Sequence, residues 1–154
     1  MTELNIQEHL SDKTKPLFAI GIAAELLGVS VHTLRMYETE GLILPTRTES
    51  QRRLYSQSDI ERLQCIRKMI EVQGLNLAGI KAMMSLVPCW EIKPCREADR
   101  IQCEAFKQSV EPCWAIKSKP DYCSSSDCKT CPVYDQVTTC KNMKSLLKEH
   151  WKTA

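Results

Sequence analysis

Eight of the nine cysteines fall between Cys89 and Cys140, a stretch of about 52 residues. Few large apolar side chains accompany them, so this segment cannot bury enough hydrocarbon to hold itself together and needs a staple. Disulfides are the staple of small secreted domains, and metal–thiolate bonds are the staple where thiols stay reduced. Glycine runs the other way, with all five at or before Gly79. Five of the seven prolines (Pro88, Pro94, Pro112, Pro120 and Pro132) share the cysteine-rich half. Two architectures therefore occupy one chain, with a boundary near Pro88. Charge does not separate them: residues 1–87 carry ten basic and ten acidic groups, and residues 88–154 carry eleven and nine. A net charge of +2 permits a nucleic-acid partner without requiring one.

Residues 1–15 are polar and without periodicity, and are expected to form a disordered arm. From Ile20 the pattern becomes helical. Ile22, Ala23, Leu26 and Leu27 line one face, and Gly28 stands where a helix C-cap would. Ser30 can cap a second helix running from Val31 to about Glu38. Two helices joined by a short turn containing Gly make a helix-turn-helix pattern. Between Leu42 and Tyr55 the periodicity is lost, and Pro45 with the polar run Thr48–Gln51 predicts two short extended pieces around a turn. Ser56 and Asp59 form a capping-box pattern ahead of a third helix carrying Ile60, Leu63, Ile66 and Ile70 on one face. Gly74 ends that helix, and Asn76 can cap a fourth that stops before Pro88. Cys65, among apolar residues of the third helix, reads as a small core side chain.

The order and spacing of Ile20-Gly21, Ala24, Gly28-Val29-Ser30, Thr33-Leu34-Arg35, Tyr37-Glu38, Gly41-Leu42, Arg53-Leu54-Tyr55 and Asp59-Ile60 resemble the MerR family. Arg35-Met36-Tyr37-Glu38 and Gly74 to Ile80 are similar to its heat-shock repressor branch. The resemblance covers about Phe18 to Leu86. It implies a mainly α fold with a small β wing, a winged helix-turn-helix at 16–87; residues 88–154 are expected, from their cysteines, to form a small metal-stapled cysteine-rich domain. It also implies double-stranded operator DNA as partner, RNA polymerase as an indirect one, and a homodimer. Ser30, His32, Thr33, Arg35 and Tyr37 would lie on the recognition helix, with Arg47, Arg52, Arg53 and Tyr55 on the wing. The physics suits those roles. A helix N-terminus aims free amides at phosphate, arginine grips guanine or phosphate in bidentate fashion, and wing cations track the backbone. Met36 departs from the aromatic residue that many members carry there.

An internal repeat organises the second half. Pro88-Cys89-Trp90-Glu91-Ile92-Lys93 recurs as Pro112-Cys113-Trp114-Ala115-Ile116-Lys117. Cys95, Cys103 and Phe106 follow in the first copy, and Cys123, Cys131 and Tyr134 in the second. Cys128 is extra, and Cys140 lies outside both copies. Trp90 and Trp114 are each expected to cover one side of a thiolate site.

A DNA-binding protein meets reducing conditions in the cytoplasm, so metal ligation is preferred to disulfides. Cys123, Cys128 and Cys131 have the C-x4-C-x2-C spacing of plant-type iron–sulfur proteins. An iron–sulfur cluster, with Cys140 or Cys113 as fourth ligand, is therefore the first choice, tetrahedral zinc on the same sulfurs the second, and metal-free redox thiols or transient metal sensing the third. Eight thiolates also allow two sites. One division gives Cys113, Cys123, Cys128 and Cys131 to one site, and Cys89, Cys95, Cys103 and Cys140 to the other.

The expected function is transcription regulation, with a tail that senses redox state, nitric oxide or metal. A purely structural zinc tail is the alternative. A thiol oxidoreductase using Cys128-Lys129-Thr130-Cys131 is remote, because that pair lacks the strand-then-helix setting such chemistry needs; no enzyme is expected. No apolar run approaches the ~18 residues of a membrane span and no signal-peptide core is present, so a cytoplasmic protein with no membrane contact is expected. The stretch from Arg96 to Val110 is the best candidate for a dimerisation helix, with a second short helix at Lys141–Trp151.

Overall fold

The computed structural model describes residues 11–108, 110–137 and 143–151. Strand β1, at Pro16–Ala19, was not revealed by hydrophobic periodicity. The helix-turn-helix follows as α1 at Ile20–Leu27 and α2 at Val31–Thr39. Gly28 closes α1 at φ 62°, a left-handed conformation that a Cβ would disfavour. The Ser30 side chain accepts the Thr33 amide at 3.0 Å and starts α2. Strands β2 (Thr46–Arg47) and β3 (Arg53–Ser56) form the wing. The sheet is antiparallel in the order β1-β3-β2, with Phe18 opposite Tyr55 and Arg47 opposite Arg53.

Helix α3 spans Gln57–Glu71 behind the complete Ser56–Asp59 capping box, a device that contributes about 1 kcal/mol. Helix α4, Leu77–Ser85, is capped by Asn76. Leu34, Leu42, Ile43, Leu63, Ile66 and Ile80 are wholly buried between these elements, each stabilising the fold by about 1.5–3 kcal/mol. Arg67 of α3 donates to the Leu27 carbonyl, a group that the end of α1 leaves open. Residues at the end of the expected disordered arm are tied down: the Lys13 carbonyl accepts the Ser58 amide at 3.0 Å, and its ammonium pairs with Glu61. The first ten residues of that arm lie outside the described residues.

The second half is made of short pieces: α5 (Cys89–Ile92), α6 (Glu97–Gln102), α7 (Glu104–Lys107), a 3-10 turn at Cys113–Ala115, α8 (Asp121–Ser124), a 3-10 turn at Cys128–Thr130 and α9 (Pro132–Gln136). Helix α10 spans Met143–Trp151. The expected helix from Arg96 to Val110 is therefore not continuous. It breaks at Cys103, whose extended backbone (φ −79°, ψ 118°) separates α6 from α7 and lets its thiol face the other cysteines.

The repeat is structural as well as sequential. Trp90 meets Phe106 edge to face at 5.0 Å, and Trp114 meets Tyr134 the same way at 5.1 Å. A cation faces each second ring at 5.8 Å, Arg100 in the first copy and Lys129 in the second. The apolar core is continuous from the head into the second copy through Trp114, Val133, Tyr134 and Val137.

Candidate functional site

The N-terminal end of α2 presents His32 and Arg35 to solvent, with Thr33 half-buried beside the exposed Ser30 cap. Arg52 is exposed in the wing turn. Arg47 and Arg53 both pair with Glu38 of α2, so one carboxylate ties the wing to the recognition helix. Two expected contacts belong to the core instead. Tyr37 is 5% exposed and Tyr55 is fully buried. Burial pushes the Tyr37 hydroxyl up from its ordinary value and that of Tyr55 up to about 12. Each sits on the inward face of its element, so its amphipathic ring fills the core.

The cysteines converge. Cys89, Cys95 and Cys103 of the first copy and Cys113, Cys123, Cys128 and Cys131 of the second line a single cavity of about 50 Å³. All seven are free thiols, whereas Cys65 is disulfide-bonded as well as buried in α3. Cys140 lies outside the described residues. Trp90, Phe106 and Val133 supply apolar wall, and Lys93, Arg100 and Lys119 supply positive charge. The Lys119 ammonium donates to the Cys128 sulfur at 3.1 Å. Burial first, and then the neighbouring sulfurs Cys103, Cys95 and Cys123, push the Cys89 thiol up to about 11. Burial and then Cys89, Cys131 and Cys128 push Cys113 up to about 12. Among the described residues no set of three donors already stands as a coordination sphere, so any ion would have to draw the sulfurs inward.

The second copy is docked on the head. The Trp114 indole donates to the Gly41 carbonyl at 2.7 Å, and the Tyr134 hydroxyl accepts the Leu44 amide at 2.9 Å. Lys129 donates to the Leu44 carbonyl and pairs with the buried Asp59. Gly41 and Leu44 bracket the linker between α2 and the wing. Trp114, Lys129 and Tyr134 lie one, one and three residues beyond Cys113, Cys128 and Cys131. Beneath them Arg62, 1% exposed, stacks on Tyr134 at 3.6 Å and donates to its carbonyl. Trp114 therefore covers the head rather than the thiols, and the expectation that both tryptophans flank a thiolate site holds for Trp90 alone. Its ring is turned away because its N–H needs a buried acceptor and Gly41 provides one.

The profile of the MerR HTH family regulatory proteins matches residues 18–86. Along 137 residues the chain is 32% identical to the mercuric resistance operon regulatory protein of Bacillus cereus, covering 86% of this chain and 98% of that protein. The chain belongs to the MerR family. It is also 43% identical over 72 residues to the HTH-type transcriptional regulator GlnR of Bacillus anthracis, covering 47% of this chain and 55% of the relative. Likewise it is 42% identical over 71 residues to the putative heat shock protein HspR of Streptomyces coelicolor, covering 46% of this chain and 47% of that protein. The chain thus spans about half the length of these last two relatives. All three carry names of regulators or stress proteins and none the name of an enzyme.

Sequence reading of the MerR-type head missed Glu38 as the tie between wing and recognition helix, and Arg62 as a buried residue. Arg62 sits between Glu61 and Leu63 and reads as the solvated edge of an amphipathic helix. The only signal in the sequence was the pair of aromatic residues, Trp114 and Tyr134, that the second copy must place somewhere. Among the described residues no helix is long and apolar enough to cross a membrane.

Proposed function

We propose that the chain is a cytoplasmic, homodimeric MerR-type regulator whose thiol cavity controls how the head holds operator DNA. Ser30, His32, Thr33 and Arg35 would read or grip the major groove, and Arg47, Arg52 and Arg53 would follow the phosphates. Tyr37 and Tyr55 serve the same surface from behind, by fixing α2 and β3.

The observation that carries this reading is the seat of the second repeat copy on the Gly41–Leu44 linker. A change in the positions of Cys113, Cys128 and Cys131 must be felt at Trp114, Lys129 and Tyr134, and so at the joint between α2 and the wing. The two elements of the head would then change their mutual angle and, with it, the shape of DNA they fit.

The donor set supports a thiophilic metal or an iron–sulfur cluster: among the described residues the cavity is lined by seven thiols, three cations and apolar walls, with no carboxylate. When bound, such a group would hold the sulfurs as thiolates and draw them together. The name of the mercuric resistance relative is consistent with a metal signal.

Operator affinity measured at fixed salt for metal-loaded and metal-free protein tests the reading. The protein is purified anaerobically, with metal and sulfide counted. Affinities that differ by about tenfold or more support control, since a bound state that favours neither conformation shifts nothing. Equal affinities reduce the tail to a structural staple.

A further inference from the structure

We propose that the first repeat copy forms the homodimer interface, with Ile101, Phe106 and Val110 packed on the same face of a second copy of this chain across a two-fold axis. This rests on the homodimer of the proposed function and goes further, to the surface that makes it.

The two copies, set side by side, identify the face. Cys95 to Gln108 aligns with Cys123 to Gln136 without a gap, which sets Ile101 against Lys129, Ala105 against Val133 and Phe106 against Tyr134. Both copies hold the same edge-to-face ring pair. In the second copy this face is covered by the head: Tyr134 is 5% exposed, Val133 is buried, and Lys129 is half-buried with its ammonium on the Leu44 carbonyl. In the first copy the equivalent face is open. Ile101 is 63% exposed and Phe106 41%. Val110, whose amide donates to Gln108 just beyond α7, is 65% exposed. The break at Cys103 removes a long helix from this stretch and leaves its apolar residues on the surface of two short ones. One and the same unit therefore buries this face against protein in one copy and presents it, made more apolar, in the other.

Chemistry selects the occupant. Tyr134 and Lys129 meet backbone groups of the linker through a hydroxyl and an ammonium. Phe106 and Ile101 have neither group, so the first copy suits an apolar surface and not a polar backbone turn. The linker of a neighbouring head is in any case taken by that chain's own second copy. Around the apolar centre stand charges of both signs: Arg96 pairs with Asp99, and Lys107 with Glu104. With Glu97 and Arg100 included, residues 96–107 carry three basic and three acidic groups. Such a rim has no net charge to draw nucleic acid or an acidic partner, and it meets an identical rim without overall repulsion. An apolar centre inside a balanced polar rim suits a two-fold contact, which uses the same patch from both sides. Phe106 and Arg100 also line the thiol cavity, as do Cys113, Cys128 and Cys131 of the copy seated on the head. The cavity would then stand between the dimer interface and the recognition helix, where movement of the sulfurs turns each head relative to its partner.

Sedimentation of the full chain, reduced and purified without oxygen, tests the proposal. The native chain should be a dimer. Ile101→Glu and Ile101→Lys should each weaken self-association at least tenfold, because like charges then face each other across the axis. An equimolar mixture of the two variants should restore a dimer holding one of each. Far-UV circular dichroism and a free-thiol count equal to the native chain's establish that each variant is folded. If the Ile101 variants do not fold, Val110→Glu and Val110→Lys carry the same test. A native monomer overturns the proposal, and so does a dimer that Ile101→Glu leaves intact. Two monomeric variants that fail to pair when mixed overturn the same-face arrangement. The two readings fail separately. A dimer indifferent to Ile101→Glu, with metal-dependent operator affinity, removes this interface and keeps the sensor. Pairing of the two charged variants, with operator affinity indifferent to metal, keeps the interface and removes the sensor.

Discussion

Gly41→Ala tests whether the second repeat copy is seated on the head in the way described. Gly41 has φ +73°, a left-handed conformation that costs any residue with a Cβ about 1–2 kcal/mol. A Cβ there would also lie 2.9 Å from the Ala115 Cβ, closer than carbon atoms pack, and relief of such overpacking typically costs about 1–3 kcal/mol. The two effects together give about 2–5 kcal/mol of lost stability. They can be told apart, because Ala115→Gly removes the clash but not the backbone strain. Alone, Ala115→Gly should cost about 0.5–1 kcal/mol through chain flexibility. In the double variant the clash is gone, so the cycle should show a favourable coupling of about 1–3 kcal/mol. Urea unfolding of the four proteins, with slopes checked for constancy, measures it. A coupling within about 0.5 kcal/mol of zero would mean that Ala115 does not rest on Gly41, and the proposed path from thiols to recognition helix would go with it.

Three further outcomes are expected. Arg35→Ala should weaken operator binding by about 1–3 kcal/mol in a salt-controlled shift assay, and unchanged affinity would remove Arg35 from the interface. Glu38→Gln should release Arg47 and Arg53 from their shared carboxylate and steepen the dependence of log affinity on log salt by about one unit, whereas an unmoved slope would place the wing off the DNA. Tyr55 and Tyr134 are both held to about 12, mainly by burial, against an ordinary 10.0. Folding thus keeps protons that the unfolded chain sheds. Their contribution is full below pH 10 and is lost as pH rises through 12. Phenolate absorbance of these two rings appearing well before unfolding would contradict their burial.

The parts of the fold that local chemistry dictates were legible in the sequence. Gly28, Ser30, the Ser56–Asp59 box and Asn76 act on backbone groups within four residues, so their spacing is enough to place α1 to α4. The repeat was legible for the same reason, as a pattern of residue types. What escaped depends on distant partners. Four residues starting with Pro16 become a strand because β3 lies alongside, some forty residues later. Arg62 is buried because Trp114 and Tyr134 arrive to cover it. The break at Cys103 reflects the pull of the cavity on one side chain in a segment otherwise suited to a helix. That the cysteines of both copies share one cavity is a fact of tertiary packing, and spacing along the chain does not encode it.

The docking of the second copy also bears on how such a protein can be recombined. The linker that joins recognition helix to wing takes a donor for Gly41, an acceptor for the Leu44 amide and a donor for the Leu44 carbonyl from Trp114, Tyr134 and Lys129. A foreign sensory tail grafted after Val87 would lack these partners, and each of these backbone groups that it covered without supplying a new partner would cost about 1–3 kcal/mol. The head is therefore not a portable cassette. Its linker and the aromatic pair of the second repeat form one inherited unit, and exchange between relatives must carry both or rebuild the joint.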